Sequence, residues 1–254
     1  RSLENKHPEP ILKDEFSKDV VNRIEYDFAK FDRSKLSRVG VAIRARFFDD
    51  WIVKFTRTHP SAVIVQLGAG LDTRPLRLAP LCPEATFYDL DLPDVIALRD
   101  KLVPKAPRNY SLACSMLETA WMDELAAKHA GEEFVFVLEG VSMFFEKPIF
   151  REFFLNLAAR FSGLVLVDLL NDFATKMNTR KHDTLKFMKE EVKIKMGIAG
   201  AVEAWDKERI KCLEIGTMMN MYKHRWGLVG RAMSWIKPFR EACRMFVFAL
   251  GKRG

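Results

Sequence analysis

The sequence predicts an α/β fold with one mainly parallel, seven-stranded sheet and helices on both of its faces. Short apolar, β-branched runs alternate with helical patterns along the chain, which is typical of parallel strands joined by crossover helices. These runs are apolar throughout instead of alternating with polar residues, as strands buried on both faces are. The chain has 254 residues, 48% of them hydrophobic, and no linker or internal repeat divides it. We therefore expect a single domain over residues 1–254.

The first part of the chain, residues 1–58, is predicted to be a helical segment. The helical pattern covers residues 11–48. Apolar residues recur in it at helical spacing, at Val20, Val21, Ile24 and Phe28. The chain opens at Arg1 within a helical pattern, so we expect some natural N-terminal residues to precede it.

Seven runs predict strands, and three patterns between them predict helices. The predicted strands are residues 63–67, 83–91, 110–114, 133–138, 163–170, 210–215 and 245–249. The predicted helices are residues 71–78, 94–102 and 148–161. Residues 171–196 are polar, helical in pattern and rich in Lys and Met, so we expect a lid within residues 171–208.

The first predicted strand ends in a glycine turn, Gly68-Ala69-Gly70. Because glycine has no Cβ, such a turn can adopt unusual dihedral angles and let a ligand approach the backbone closely. A dinucleotide-binding turn would have a third glycine at the position of Thr73, where it allows close helix packing. We expect a nucleotide-like ligand with no pyrophosphate. An ordinary loop after a strand is the plainer alternative.

Polar residues lie at or near the carboxyl ends of the other predicted strands, where parallel sheets bind their ligands. They are Asp89, Asp91, Ser115, Glu139 and Asp168. Asp89 and Asp91 follow Gly68 by about twenty residues, the distance at which a βαβ unit places a carboxylate against ribose hydroxyls. Alternatively, these two residues are turn or helix-capping acids ahead of Pro93.

These features fit S-adenosylmethionine better than a dinucleotide. That cofactor needs close backbone approach at its methionine part, an acid for its ribose and a cation for its carboxylate. Arg44, in the helical segment, is the candidate cation. A solvated helix face is the alternative explanation of this arginine.

Four motifs occur in a fixed order along the chain. They are Arg-Ala-Arg-Phe-Phe-Asp at 44–49, Leu-Gly-Ala-Gly-Leu-Asp-Thr-Arg at 67–74, Tyr-Asp-Leu-Asp-Leu-Pro at 88–93 and Glu-Gly-Val-Ser-Met-Phe at 139–144. Together they resemble the leucine carboxyl methyltransferase family, and more closely its bacterial and fungal branch of polyketide O-methyltransferases. The resemblance covers nearly the whole chain.

The resemblance implies a class I, Rossmann-like methyltransferase that uses S-adenosylmethionine. It implies that Arg44 holds the cofactor carboxylate, with Arg74 as a second cation, and that Asp91 binds the ribose. Glu139 would face the sulfonium, where a negative charge favours a cation. The cofactor-binding residues implied in this way are Arg44, Gly68, Ala69, Gly70, Asp72, Arg74, Asp89, Asp91, Leu92, Ser115, Met116, Glu139 and Gly140.

Two places depart from the pattern of the family. Ser115-Met116 stands where the family has an Asp-Leu pair near the adenine, so a hydroxyl would replace a carboxylate there. Phe144-Phe145 stands where relatives often have a tyrosine, which removes a candidate hydroxyl from the active site.

The resemblance implies O-methylation of a small molecule, such as a polyketide-like secondary metabolite with an acidic or hydroxyl group. A carboxylate acceptor is ionised at neutral pH and needs no general base, whereas a phenol, with a pKa of about 10, needs one. His129, His182 and His224 have no evident partners. No catalytic residue is therefore assigned, and a carboxylate acceptor is favoured.

Two other functions stay open at this point. One is methylation of a protein C-terminus, as in the eukaryotic branch of the family. The other is cofactor binding without catalysis, which the departures at Ser115 and Phe144 suggest.

The composition of the chain indicates which metal sites, partners and locations to expect. Four cysteines and five histidines are scattered without metal-ligand spacing, so we expect neither a metal centre nor a disulfide framework.

The net charge of +7 fits a basic solvated surface or steering of an acidic substrate. No aromatic-basic motif favours nucleic acid as a partner. With no signal peptide and no apolar run of membrane-spanning length, we expect a soluble cytoplasmic protein of undetermined oligomeric state.

Overall fold

A computed structural model describes residues 1–32, 34–176 and 202–251 of the chain. Its seven strands are β1 (Val63–Leu67), β2 (Thr86–Asp91), β3 (Asn109–Ala113), β4 (Phe134–Leu138), β5 (Gly163–Leu170), β6 (Ile210–Thr217) and β7 (Cys243–Leu250). They form one sheet in the order β3-β2-β1-β4-β5-β7-β6. Strands β1 to β5 pair in parallel, whereas β7 pairs antiparallel with both β5 and β6. The predicted mainly parallel, seven-stranded sheet is confirmed.

Nine helices accompany the sheet in the described part of the chain. They are α1 (Glu15–Asn22), α2 (Lys35–Thr56), α3 (Arg74–Leu78), α4 (Pro93–Leu102), α5 (Ala120–Lys128), α6 (Lys147–Arg160), α7 (Asp172–Thr175), α8 (Gly227–Trp235) and α9 (Lys237–Arg240). The helical pattern over residues 11–48 is divided between α1 and α2, with a 3-10 turn at Phe28–Phe31 between them. The sequence patterns did not predict α5.

The central strands separate two layers of core. Successive side chains of a strand point to opposite faces, so Val63 and Val65 pack in one layer and Ile64 in the other. The first layer is rich in aromatic residues from α6, and the second is built on α2. All residues of β1, β4 and β5 are buried, which explains why these strands are apolar except for Gln66 and Asp168.

Phe154 of α6 gives a direct test of the aromatic layer. It is fully buried, and its ring centroid lies 5.8 Å from that of Phe150 and 5.6 Å from that of Phe248. Phe154→Ala is expected to lower the free energy of unfolding by about 3–5 kcal/mol, since it leaves a cavity in a packed core. Urea titration measures this loss. Leu81→Ala, at a residue that is 62% exposed, should change it by less than about 0.5 kcal/mol.

Most of the predicted lid, residues 177–201, lies outside the described residues. The described chain enters that region through α7 and continues from residue 202. None of the helices in the described ranges combines the length and the apolar character that crossing a bilayer requires.

Candidate functional site

A cavity of about 420 Å³ lies at the carboxyl end of β1. One of its walls is the glycine turn with the end of β4, and the opposite wall comes from the N-terminal helical segment. The lining residues are Arg1, Ser2, Asp14, Ser17, Val20, Val21, Ile24, Phe28, Gln66, Leu67, Gly68, Ala69, Gly70, Leu71, Asp72, Arg74, Val137 and Glu139. Its volume and its mixed apolar and charged lining are those of a small-molecule site.

The glycine turn opens the cavity toward the backbone. Gly68 and Gly70 have φ angles of 70° and 50°, in the left-handed region that glycine adopts without steric penalty. The amides of Gly68 and Ala69 donate to the carbonyl oxygen of Leu90 at 2.9 and 3.1 Å, which fixes the turn against β2. A Cβ atom on Gly70 would have no heavy atom within 4 Å. A ligand can therefore approach the main chain at this residue.

Asp91 lies at the end of β2 and holds the same turn. Its Oδ2 accepts a hydrogen bond from the Gly70 amide at 2.8 Å, and its Oδ1 accepts one from the Leu92 amide at 2.8 Å. The Asp91 side chain is only half-buried, and Leu92 is 51% exposed. The carboxylate thus keeps accepting capacity beside the cavity, since each of its oxygens can take a further hydrogen bond.

Asp89 is placed differently from Asp91. It is buried, and its carboxylate accepts hydrogen bonds from Gln66 at 2.6 Å, Arg99 at 2.8 Å and Asn109 at 2.9 Å. Arg99 also donates to the carbonyl oxygen of Gly70 at 3.0 Å. Asp89 therefore supports the glycine turn from behind, through Arg99, and does not line the cavity.

Glu139, which ends β4, is surrounded by three arginines. Its Oε1 accepts from Arg1 at 2.5 Å and from Arg44 at 3.3 Å, and its Oε2 accepts from Arg74 at 2.6 Å. Burial alone would raise the pKa of Glu139, but the charges of these arginines outweigh burial and lower that pKa to about 2. Glu139 is therefore ionised at neutral pH.

This shift predicts how stability depends on pH. The pKa of Glu139 is lower in the folded protein, about 2, than the ordinary value of 4.5. Its stabilising contribution is thus present above pH 4.5 and is lost as the pH falls toward 2. Urea titrations between about pH 6 and pH 3 should show a loss of stability that is smaller in Glu139→Gln by on the order of 2 kcal/mol. Equal losses in the two proteins would contradict this assignment.

Arg74 belongs to a buried ionic network. It is 1% exposed, and besides Glu139 it donates to Asp49 at 2.7 Å and to Gln66 at 2.6 Å. Asp72 forms ion pairs with Arg77 at 2.8 Å and with Arg1 at 2.5 Å. Arg74 therefore holds the acids of the cavity in place, with its own donors already satisfied by protein groups.

Arg44 reaches the same acids from α2. Its Nη1 donates to Asp168 at 2.7 Å, and the other oxygen of Asp168 accepts from the Gly140 amide at 2.6 Å. A Cβ on Gly140 would lie 3.1 Å from Nη2 of the same guanidinium, so this nitrogen of Arg44 lies beside the carboxyl end of β4.

The wall formed by the N-terminal segment was not predicted as part of the site. Asp14 is 1% exposed, accepts from the Thr73 hydroxyl and the Ser17 amide, and lines the cavity. Among the described residues its Oδ2 has no hydrogen-bond partner, although Arg77 Nη1 lies 3.6 Å away. The apolar repeat of α1 was visible in the sequence, but nothing local indicates which surface that helix covers.

Ser115 and Met116 occupy the loop after β3, outside the cavity lining. The Ser115 hydroxyl accepts from the Leu117 amide at 3.3 Å, and Met116 is buried in the aromatic layer. Phe144 is 42% exposed. His129 shares a hydrogen bond of 2.9 Å with the Tyr88 hydroxyl, away from the cavity, and His182 lies outside the described residues.

Two curated relatives match the chain over part of its length. One is tetracenomycin polyketide synthesis O-methyltransferase TcmP of Streptomyces glaucescens, 35% identical over 48% of this chain and 45% of its own. The other is the S-adenosyl-L-methionine-dependent methyltransferase dpfgK of Gibberella zeae, 34% identical over 41% of this chain and 37% of its own. The matched region thus spans less than half of the length of either relative.

A solved structure shows the same fold over most of the chain. It is a candidate methyltransferase from Thermobifida fusca, with a TM-score of 0.57 and 13% identity over 94% of this chain and 88% of that one. The protein-family model described as leucine carboxyl methyltransferase matches residues 1–158 of this chain. That range is more than half of the chain and contains every described residue that lines the cavity. The chain therefore belongs to the leucine carboxyl methyltransferase family.

Proposed function

We propose that the protein is an S-adenosylmethionine-dependent O-methyltransferase that acts on a small molecule. The observation that carries the proposal is the cavity itself, where an open glycine turn faces the ionised acids Asp72 and Glu139. The printed names of the two relatives, an O-methyltransferase of polyketide synthesis and an S-adenosyl-L-methionine-dependent methyltransferase, support it.

The residues of the cavity fit that cofactor. Its sulfonium and amino groups are cationic, and Asp72 and Glu139 already bind a cation in this structure, the guanidinium of Arg1, at 2.5 Å each. The open space at Gly70 allows close approach of the methionine part to the backbone. Asp91, next to this turn, is the acid for the ribose hydroxyls.

The other predicted residues complete the proposed site. Arg44 would bind the cofactor carboxylate through its Nη2, and Arg74 and Asp89 would support the site from behind. Leu92, Ser115 and Met116 would contact the adenine.

S-adenosylmethionine, when bound, would supply a methyl group for in-line transfer to an oxygen nucleophile, with the neutral thioether of S-adenosylhomocysteine as the leaving group. Glu139, whose pKa is held far below neutral pH, would provide a negative charge on the sulfonium side of the cavity. The wall of the cavity that contains Val20, Val21 and Ile24 would shield the reacting groups from water. The main contribution of the protein is then to align the acceptor oxygen.

A carboxylate on an apolar molecule is the acceptor that this site favours. Among the described lining residues there is no His, Lys, Tyr or Cys that could remove a proton from a hydroxyl, and the carboxylates of Asp72 and Glu139 are paired with arginines. A carboxylate needs no such group, since it is already ionised. A cytoplasmic location and a single domain over residues 1–254 complete the proposal.

Methyl transfer from S-[methyl-³H]adenosylmethionine tests this function. The acceptor panel pairs aromatic carboxylic acids with the corresponding phenols and with peptides that end in a free carboxylate. We expect label in the small acids, released as methanol by mild base, at a rate that changes little from about pH 6 to pH 8. Label in the peptides alone would favour a protein C-terminal methyltransferase. Cofactor binding with no transfer to any acceptor would favour a non-catalytic protein.

A further inference from the structure

The C-terminal helices α8 and α9 carry an apolar face that no element of the described chain covers. Residues spaced by four and then three positions share one side of a helix, so Leu228, Ala232 and Trp235 form a stripe along α8. Leu228 is 85% exposed and Trp235 is 83% exposed. Val229 and Ile236, which flank the stripe, are 68% and 52% exposed. Large apolar side chains grouped in this way on a surface mark an interaction site.

The opposite side of α8 fixes the direction of this stripe. Gly230 is buried, and a Cβ there would lie 2.9 Å from Trp226 and 3.0 Å from Leu36. Met233 packs against the core layer built on α2. Because Gly230 and Met233 fix α8 against the protein, the helix cannot rotate to bury its apolar stripe without losing those contacts.

The surroundings of the stripe are strongly basic. Residues 221–240 contain five Lys or Arg residues and no Asp or Glu. Two of these cations are used within the protein, since Arg225 pairs with Glu4 at 2.7 Å and Arg240 with Glu241 at 3.5 Å. The other three, Lys223, Arg231 and Lys237, are exposed. Exposed Leu and Trp flanked by exposed Lys and Arg is the composition of helices that lie in a membrane interface.

The face formed by α8 and α9 also lies close to the carboxyl end of β5, a strand of the sheet that carries the cavity. Asn171, directly after β5, donates through Nδ2 to the carbonyl oxygen of Pro238 at 3.1 Å. The ring centroids of Phe173 and Phe239 are 4.8 Å apart. Helix α9 therefore sits beside the carboxyl end of β5, where Asp168 binds Arg44.

We propose that α8 and α9 dock the protein onto an anionic lipid surface. Leu228 and Trp235 enter the boundary between headgroups and acyl chains, while Lys223, Arg231 and Lys237 bind anionic headgroups. Two copies of this face would bring like charges together, so charge complementarity favours lipid over a second copy. The high exposure of Leu228 and Trp235 shows that they protrude, which suits insertion between lipids. This docking goes beyond methyl transfer and needs no cofactor.

Co-sedimentation of the whole chain with phosphatidylcholine vesicles, with and without phosphatidylserine, tests the proposal. We expect binding to the anionic vesicles, weakened by salt, and a blue shift of tryptophan emission that Trp235→Ala removes. Leu228→Glu and Lys237→Glu should each lower the partition coefficient by about tenfold. The matched control is Leu81→Glu, which places the same charge at an exposed leucine in a turn after α3 and should bind as the wild type does.

Several outcomes would overturn the proposal. One is that the protein does not bind anionic vesicles at low salt. Another is that Leu228→Glu and Leu81→Glu lower the partition coefficient equally. A dimer in analytical ultracentrifugation that Leu228→Glu dissociates would assign the face to a second copy. Circular dichroism of each variant verifies its fold, and methyl transfer to a water-soluble acceptor should be unchanged in Lys237→Glu.

Discussion

Gly70→Asn is expected to bind S-adenosylhomocysteine about a hundredfold more weakly than the wild-type protein. The Cβ position of Gly70 opens on the cavity with no heavy atom within 4 Å, so a side chain would occupy space that the proposed ligand needs. Asparagine tolerates a positive φ better than most residues do, which keeps the backbone strain small. Isothermal titration calorimetry measures the change in affinity.

Gly131 offers a matched control for this substitution. It also has a positive φ, 88°, and a Cβ there would likewise have no heavy atom within 4 Å. It lies between α5 and β4, and it does not line the cavity. Gly131→Asn also places asparagine at a positive φ, and it should keep wild-type affinity. Equal weakening in both variants would mean that strain, and not occupation of the cavity, caused the loss.

Asp91→Ala should lower cofactor affinity by a similar factor, about a hundredfold. Hydrogen bonds to a charged group contribute about 1.5–3 kcal/mol each, and the proposed ribose would make them to this carboxylate. The variant also loses the bond of 2.8 Å that holds the Gly70 amide. Asp91→Asn keeps an acceptor for that amide, so it should lose only about tenfold. Calorimetry with S-adenosylhomocysteine again measures both.

Asp94→Ala is the control for Asp91→Ala. Asp94 is an exposed carboxylate in the first turn of α4, three residues farther along the chain. Its removal changes the net charge equally, so wild-type affinity is expected. If Asp91→Ala bound as well as Asp94→Ala did, the assignment of Asp91 to the ribose would be wrong.

The strands could be predicted from the sequence because a buried strand requires consecutive apolar residues, which form a pattern that is local in the chain. Residues 63–67 and 163–170 are apolar runs interrupted only by Gln66 and Asp168, and their bounds match those of β1 and β5. The predicted strand at residues 245–249 lies within β7, but its antiparallel pairing with β5 depends on the return path of the chain. Helix α5 was missed although it has a helical pattern, since Trp121, Met122 and Leu125 lie on one buried face of these nine residues.

The site was harder to predict because its partners are distant in sequence. Asp89 and Asp91 belong to the same strand and have the same side chain. Of the two, Asp89 is the one that accepts hydrogen bonds from Arg99 on α4 and Asn109 on the neighbouring strand. Arg74 lies four residues after Gly70, but the ion pair that allows its burial is made with Asp49 in α2. Motif spacing located the edge of the sheet where a ligand would bind. It could not distinguish the residues that face the cavity from those that support it.

A crystal structure of the protein with S-adenosylhomocysteine tests the central claim most directly. We predict density in the cavity between the glycine turn and α1, with the ribose hydroxyls on Asp91 and the sulfur on the side of Glu139. The guanidinium of Arg1 would then leave its position between Asp72 and Glu139 or turn toward the ligand carboxylate. Density at another place, or none in this cavity at a saturating ligand concentration, would contradict the account.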